Sequence, residues 1–182
     1  SFIDKNGNAI TCMKYNRAQD FSEGLAPVQE KDGGLWYFID KTGRDLLFTL
    51  GLWNEAYSFS GGLAIVRDCT QIGHKYNNKW GCIDKTGKRV IPCKYDRISP
   101  FSEGLACVEL NGKYGYIDKT GKEVIPLKYD FAWSFENGRA HVTAKNIFGI
   151  EKRFYIDKNG NKIKYPYGIT SLHRTISEDW SR

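Results

Sequence analysis

The chain has 182 residues, 41% of them hydrophobic and 26% charged, a balance that excludes disorder and is enough to bury a core. No run approaches the ~18 consecutive apolar residues of a membrane span, so no membrane insertion is expected. A formal charge of +6 leaves room for an anionic partner, while 14% aromatics, 19 glycines and a single methionine favour strands and tight turns over long helices.

From the N-terminus the chain opens on Ile3-Asp4-Lys5, in mid-unit and without the basic and apolar regions of a signal peptide. A connector then runs from Tyr15 through Ala18 to Phe21. A Phe-x-x-Gly-x-Ala motif at 21–26, a turn-rich tip at 31–34 and Ile-Asp-Lys-x-Gly at 39–43 follow. The same succession returns as connector 53–59, motif 59–64, tip 68–78 and turn 83–87. It returns again as 95–101, 101–106, the two-residue tip Asn111-Gly112 and 117–121, and finally as 129–135, 135–140, 145–151 and 156–160. Two interleaved signatures held in phase define a repeat, with isoleucines 36, 44, 34 and 39 residues apart. The whole chain reads as one domain: a partial unit at 1–20, units at about 21–58, 59–100, 101–134 and 135–165, and a C-terminal cap at 166–182.

Within a unit, Asn111-Gly112 between two strand-like runs is the signal of a type I′ hairpin, since both residues tolerate positive φ. Insertions concentrate at this joint, which predicts that the tips project from one edge. The Asp-Lys-x-Gly joint predicts a reverse turn with Asp bonding its own backbone and Gly43, Gly87, Gly121 and Gly160 at positive φ. A third strand follows, and Pro92 and Pro126 predict that it stops there or lies at an edge. Each unit therefore reads as a three-stranded antiparallel meander. The fold expected is all-β, a curved or superhelical repeat array, with a small closed β-propeller as the alternative. The connector aromatics, Ala18, Ala56, Ile98, Ala132, the motif phenylalanines and Trp36, Trp80 and Tyr114 are expected to pack between units. Leu172, Ile176 and Trp180 have helical spacing after Ser171, as for a short capping helix.

The stretch Lys79-Trp80-Gly81-Cys82-Ile83-Asp84-Lys85-Thr86-Gly87-Lys88, followed by Val90-Ile91-Pro92 and Phe101-Ser102-Glu103-Gly104-Leu105-Ala106, resembles the bacterial WG repeat family, also called KWG repeats. A further copy, with Tyr114-Gly115 for Trp-Gly, lies between Lys113 and Ala140, and the resemblance runs from Phe2 to about Lys162. It implies an all-β repeat of unsettled function, often attached to other modules. Trp36-Tyr37 and Arg153-Phe154 depart from it, with an aromatic in place of Gly, so those units are expected to pack or bind differently.

Chemistry is sparse. The five cysteines, Cys12, Cys69, Cys82, Cys93 and Cys107, have no C-x-x-C spacing and read as reduced, mostly buried thiols, which points to the cytoplasm. Cys69 and His74 share the longest tip but supply at most two metal ligands, and turn-forming explains the repeated Asp better than calcium does. No catalytic residue, metal site or cofactor is assigned. The leading expectation is a non-catalytic module that binds a protein, or a glycan, through its variable tips, with Asp68, His74, Tyr76, Asn77, Lys145 and Phe148 as contacts. The alternative is binding of a polyanion or nucleic acid by a basic edge. Lys5, Lys41, Lys85, Lys119 and Lys158 share one repeat position, and Arg44, Lys88, Lys122 and Lys162 recur just beyond it. Within that edge Lys85, Lys88, Lys119 and Lys122 are the named contacts. A third reading is an accessory domain of an enzyme.

Overall fold

The computed structural model describes residues 15–68, 71–72, 75–76, 78–146 and 148–163. Residues 1–14 of the partial unit, with Cys12, and Cys69, His74, Asn77 and the expected capping helix lie outside the described residues.

Four antiparallel sheets follow one another along the chain. The first holds Arg17–Ala18, Leu25–Gln29 and Trp36–Asp40. The second holds Glu55–Ala56, Leu63–Asp68, Lys79–Asp84 and Arg89–Tyr95. Arg97–Ile98, Leu105–Leu110, Lys113–Asp118 and Glu123–Tyr129 form the third, and Phe131–Ala132, Ala140–Lys145, Glu151–Ile156 and Lys162–Ile163 the fourth. Three sheets thus have four strands where three were expected. The extra one is the connector, whose small apolar residue pairs with a valine: Ala56 with Val66, Ile98 with Val108, Ala132 with Val142. Two residues are too short for a periodic signal, so sequence alone reads them as a loop.

The connector strand turns into the next through Ser-Glu-Gly-Leu. Glu103 (φ 52°) and Gly104 (φ 90°) both adopt positive φ, which makes a second tight hairpin inside the Phe-x-x-Gly-x-Ala motif. The Asp-Lys-x-Gly turns form as expected, with Gly43, Gly87, Gly121 and Gly160 at φ 82°, 83°, 83° and 80°. In the third sheet Asp118 Oδ1 accepts from Thr120 N (2.8 Å), Thr120 Oγ1 (2.6 Å) and Lys122 N (3.1 Å), so this carboxylate is consumed by its own turn.

Pro92 does not end its strand. Arg89–Tyr95 is the outer strand of its sheet and bulges at the proline: Trp80 pairs with Tyr95 but Cys82 with Ile91, two residues facing four. The bulge carries backbone across Gly81, where a Cβ would lie 2.5 Å from the Ile91 carbonyl oxygen. Gly115 stands likewise, 2.6 Å from the Ile125 oxygen. This close approach is why Trp-Gly and Tyr-Gly need their glycine. Where the first sheet has Tyr37, no bulged strand passes: the chain leaves through a helical turn, Leu47–Leu50, and returns at Trp53 to pair with Trp36. That turn takes up the two extra residues between Ile39 and Phe59.

The core is a series of clusters: one lies within the first sheet around Ala26, Val28, Tyr37 and Ile39, and three are shared by successive sheets. Phe38, Phe59 and Ile83 join the first to the second; Ile65, Tyr95 and Val108 the second to the third; Tyr116, Phe135 and Ile156 the third to the fourth. Among the described residues no cluster joins the first sheet to the fourth. No helix among them is long and apolar enough to cross a membrane.

Cys82, Cys93 and Cys107 are free thiols within these clusters. Burial pushes Cys82 and Cys107 up to about 12 and Cys93 to about 11. At pH 8 only roughly one Cys82 in ten thousand is then a thiolate. Native protein should therefore leave these three unmodified by a thiol reagent over minutes at pH 8, and denaturant should expose all three at once.

Candidate functional site

Lysines and carboxylates at several repeat positions meet across the unit junctions. At the tip edge, Lys79 of the second sheet bonds Asp96 of the third connector, whose other oxygen accepts from Asn111 N at 2.7 Å. One unit on, Lys113 bonds Asp130 at 2.7 Å, and Asp130 also takes Lys145 N at 2.6 Å. At the opposite edge, Lys85 lies 2.9 Å from Glu23 and donates to its backbone oxygen at 3.1 Å. Lys158 does the same to Glu103, each contact at 3.0 Å, and Gly138 N donates to the Glu103 carboxylate, also at 3.0 Å. Where the second unit has Gly61 instead of Glu, Lys119 donates to the Gly61 carbonyl at 3.1 Å.

Each of the three junctions between the described sheets is thus clasped at one or both edges. The lysine beside it, and the amide it accepts from, hold each clasp carboxylate below its usual range: Lys85 for Glu23, Lys158 for Glu103, Lys79 for Asp96, Lys113 for Asp130. A group lowered in the folded state adds stability above its unfolded pKa and loses it as pH falls through the folded one. The melting temperature should therefore be flat from pH 6 to 8 and drop below about pH 4. Glu103→Gln should lower it at pH 7 and reduce the acid drop; an unchanged acid profile in that variant would remove the clasp from the explanation.

The proposed contacts are dispersed by this arrangement. Lys85 and Lys119 are engaged with neighbouring turns, while Lys88 and Lys122 are exposed. Asp68 is 3% exposed and lies 3.0 Å from Arg89, so it roots the tip and is not on its surface. Asp68 pairs with Lys79 as Leu110 pairs with Lys113, which places the insertion at 69–78, one residue shorter than the spacing suggested. Tyr76 belongs to a small hairpin, Gln71–Ile72 with Lys75–Tyr76, added on that tip. On the fourth sheet Lys145 and Phe148 are both exposed, Phe148 at 79%.

The groove between the second and third sheets was not singled out from sequence. It encloses about 520 Å³ and is walled by Tyr57, Leu63, Ile65, Trp80, Ile98 and Phe101. Tyr57 stacks on Trp80 with ring centroids 5.7 Å apart and planes 29° from parallel. Arg67 covers the Trp80 ring at 5.5 Å and is held by Glu55. Two repeat positions differ in size between the junctions. At the first junction Phe38 meets Phe59 at 5.1 Å, and at the third Tyr116 meets Phe135 at 4.8 Å; the matching residue at the second is Cys82. The connector position held by Tyr57 and Trp133 in the second and fourth sheets is Ser99 in the third. The equivalent groove beside Trp133 shrinks to about 290 Å³, and the first, about 430 Å³, is lined mostly by polar groups such as Gln19, Gln29 and Asn54. Phe101, expected to be buried, is only half-buried because it borders the open groove, and Phe21, next to the undescribed first unit, is half-buried too.

A stacked array of β-meanders with clasped junctions defines a repeat scaffold. The model of the WG containing repeat matches residues 1–36, 80–114 and 114–146, and the chain belongs to the WG repeat family. No curated relative matches it.

Proposed function

We propose that this chain is a non-catalytic recognition module that holds a segment of a protein partner in the groove between the second and third sheets, with the 69–78 tip beside it. The observation that carries this reading is the groove itself, an apolar cleft walled by the rings of Tyr57, Trp80 and Phe101. Trp80 in its wall stands two residues after Asn78, so the insertion and the groove share one edge of the array.

A photo-activated cross-linker placed at Tyr57 in the native host should join one partner protein, and one at Lys128 should not. Replacing 69–78 with Asn-Gly reproduces the Leu110 to Lys113 hairpin. It should keep the melting temperature within a few degrees while weakening that cross-link. Capture that persists in this variant and disappears when Lys88 and Lys122 are neutralised would move the site to the basic edge, and salt-sensitive retention on heparin would then support a polyanion.

A further inference from the structure

Resting on that reading, we infer that the groove takes an aromatic side chain from an acidic peptide segment of the partner. The chain supplies the precedent. At two of its three junctions a ring from one sheet, Phe38 or Tyr116, packs against the phenylalanine of the next. At the middle junction the matching residue is Cys82, fully buried, and Phe101 is only half-buried against the groove. An incoming ring packs on Phe101, and Tyr57 on Trp80 offers a further aromatic wall.

Part of the polar rim is already engaged: Ser58 Oγ is bonded to Gln19 Oε1 (3.2 Å) and the Asp20 carbonyl (3.1 Å), and Asp96 is taken by Lys79 and Asn111. Arg97 stands at the same rim: its side chain is 77% exposed and approaches Glu109 through Nε at 3.3 Å. Its outer guanidinium edge is free to pair with a carboxylate next to the bound ring. Of the acids nearby, Glu55 is matched by Arg67 and Asp96 by Lys79, while Glu109, which also accepts from Tyr114 Oη at 2.8 Å, would share Arg97 with the incoming carboxylate.

The test uses the purified chain and blocked pentapeptides with a central Trp between paired Glu, the same peptide with Ala for Trp, and one with Lys for Glu. The Trp80 indole N–H is followed by NMR. The Glu-Trp peptide should shift it saturably, the Ala peptide should leave it still, and the Lys peptide should bind about tenfold more weakly. Tyr57→Ala and Arg97→Glu change exposed residues, and each should weaken the Glu-Trp peptide by about tenfold. Cys82→Tyr copies the third junction and should abolish the shift; if it fails to fold, Tyr57→Ala and Arg97→Glu decide alone. Equal binding of the Ala peptide, or no shift with the Glu-Trp peptide, overturns the inference, and a Trp80 shift with maltohexaose alone makes the occupant a glycan. A partner cross-linked from Tyr57 while no peptide binds leaves the recognition module standing and removes only the aromatic acidic occupant. Absence of that cross-link alongside peptide binding removes the protein partner instead.

Discussion

Gly81→Ala should lower stability by about 3 kcal/mol, and Gly115→Ala by as much, because the added methyl has nowhere to go. At Gly81 the new Cβ falls 2.5 Å from the Ile91 oxygen and 2.8 Å from Cys93 N; at Gly115, 2.6 Å from the Ile125 oxygen and 2.8 Å from Leu127 N. These neighbours are backbone, pinned by Ile91 and Ile125, both fully buried, so the bulge cannot swing aside. Relief requires the outer strand to peel off, which takes the Ile side chain from the junction. Gly112→Ala is the control. Its φ is 73° and nothing lies within 4 Å, so it carries only the left-handed backbone penalty, about 1 kcal/mol. Denaturant melts that rank Gly81→Ala no worse than Gly112→Ala would show that the bulge yields and that the Trp-Gly pair has another reason.

The repeat, the reverse turns and the all-β class were readable because each rests on local chemistry: Asp bonding its own backbone, Gly at positive φ, Asn-Gly in a hairpin. What was not readable depends on residues one unit apart. Lys85 looks like part of a basic stripe until Glu23, 62 residues earlier, is seen to face it. Glu103 at φ 52° is an unfavoured choice within its own turn, and Lys158 and the Gly138 amide explain it only across the junction. The strand count failed for the same reason, since a two-residue strand such as Arg97–Ile98 is defined by its partner, not by a pattern of its own. The middle junction follows this rule as well. Cys82 in a strand is unremarkable alone, and only the register that aligns it with Phe38 and Tyr116 shows that this junction lacks a ring.

That missing ring has a measurable consequence in the four phenylalanines of the Phe-x-x-Gly-x-Ala motif, which look equivalent in sequence. Phe135 is 1% exposed, meets Tyr116 edge-on, and its carbonyl accepts from Ser102 Oγ at 2.6 Å across the junction. Phe135→Ala should cost about 4 kcal/mol, through lost transfer energy and a cavity that the clasped sheets cannot close. Phe101 sits half-buried beside the groove, so part of its face is already wet, and truncation enlarges a space that water can enter. Phe101→Ala should cost about 2 kcal/mol. Urea melts of the two variants measure the difference directly. Cys82→Tyr offers a second reading of it: with the ring restored, Phe101→Ala should become as damaging as Phe135→Ala. If the two truncations cost the same in the parent protein, the middle junction is as tightly packed as its neighbours, and the groove loses its claim to be a binding site.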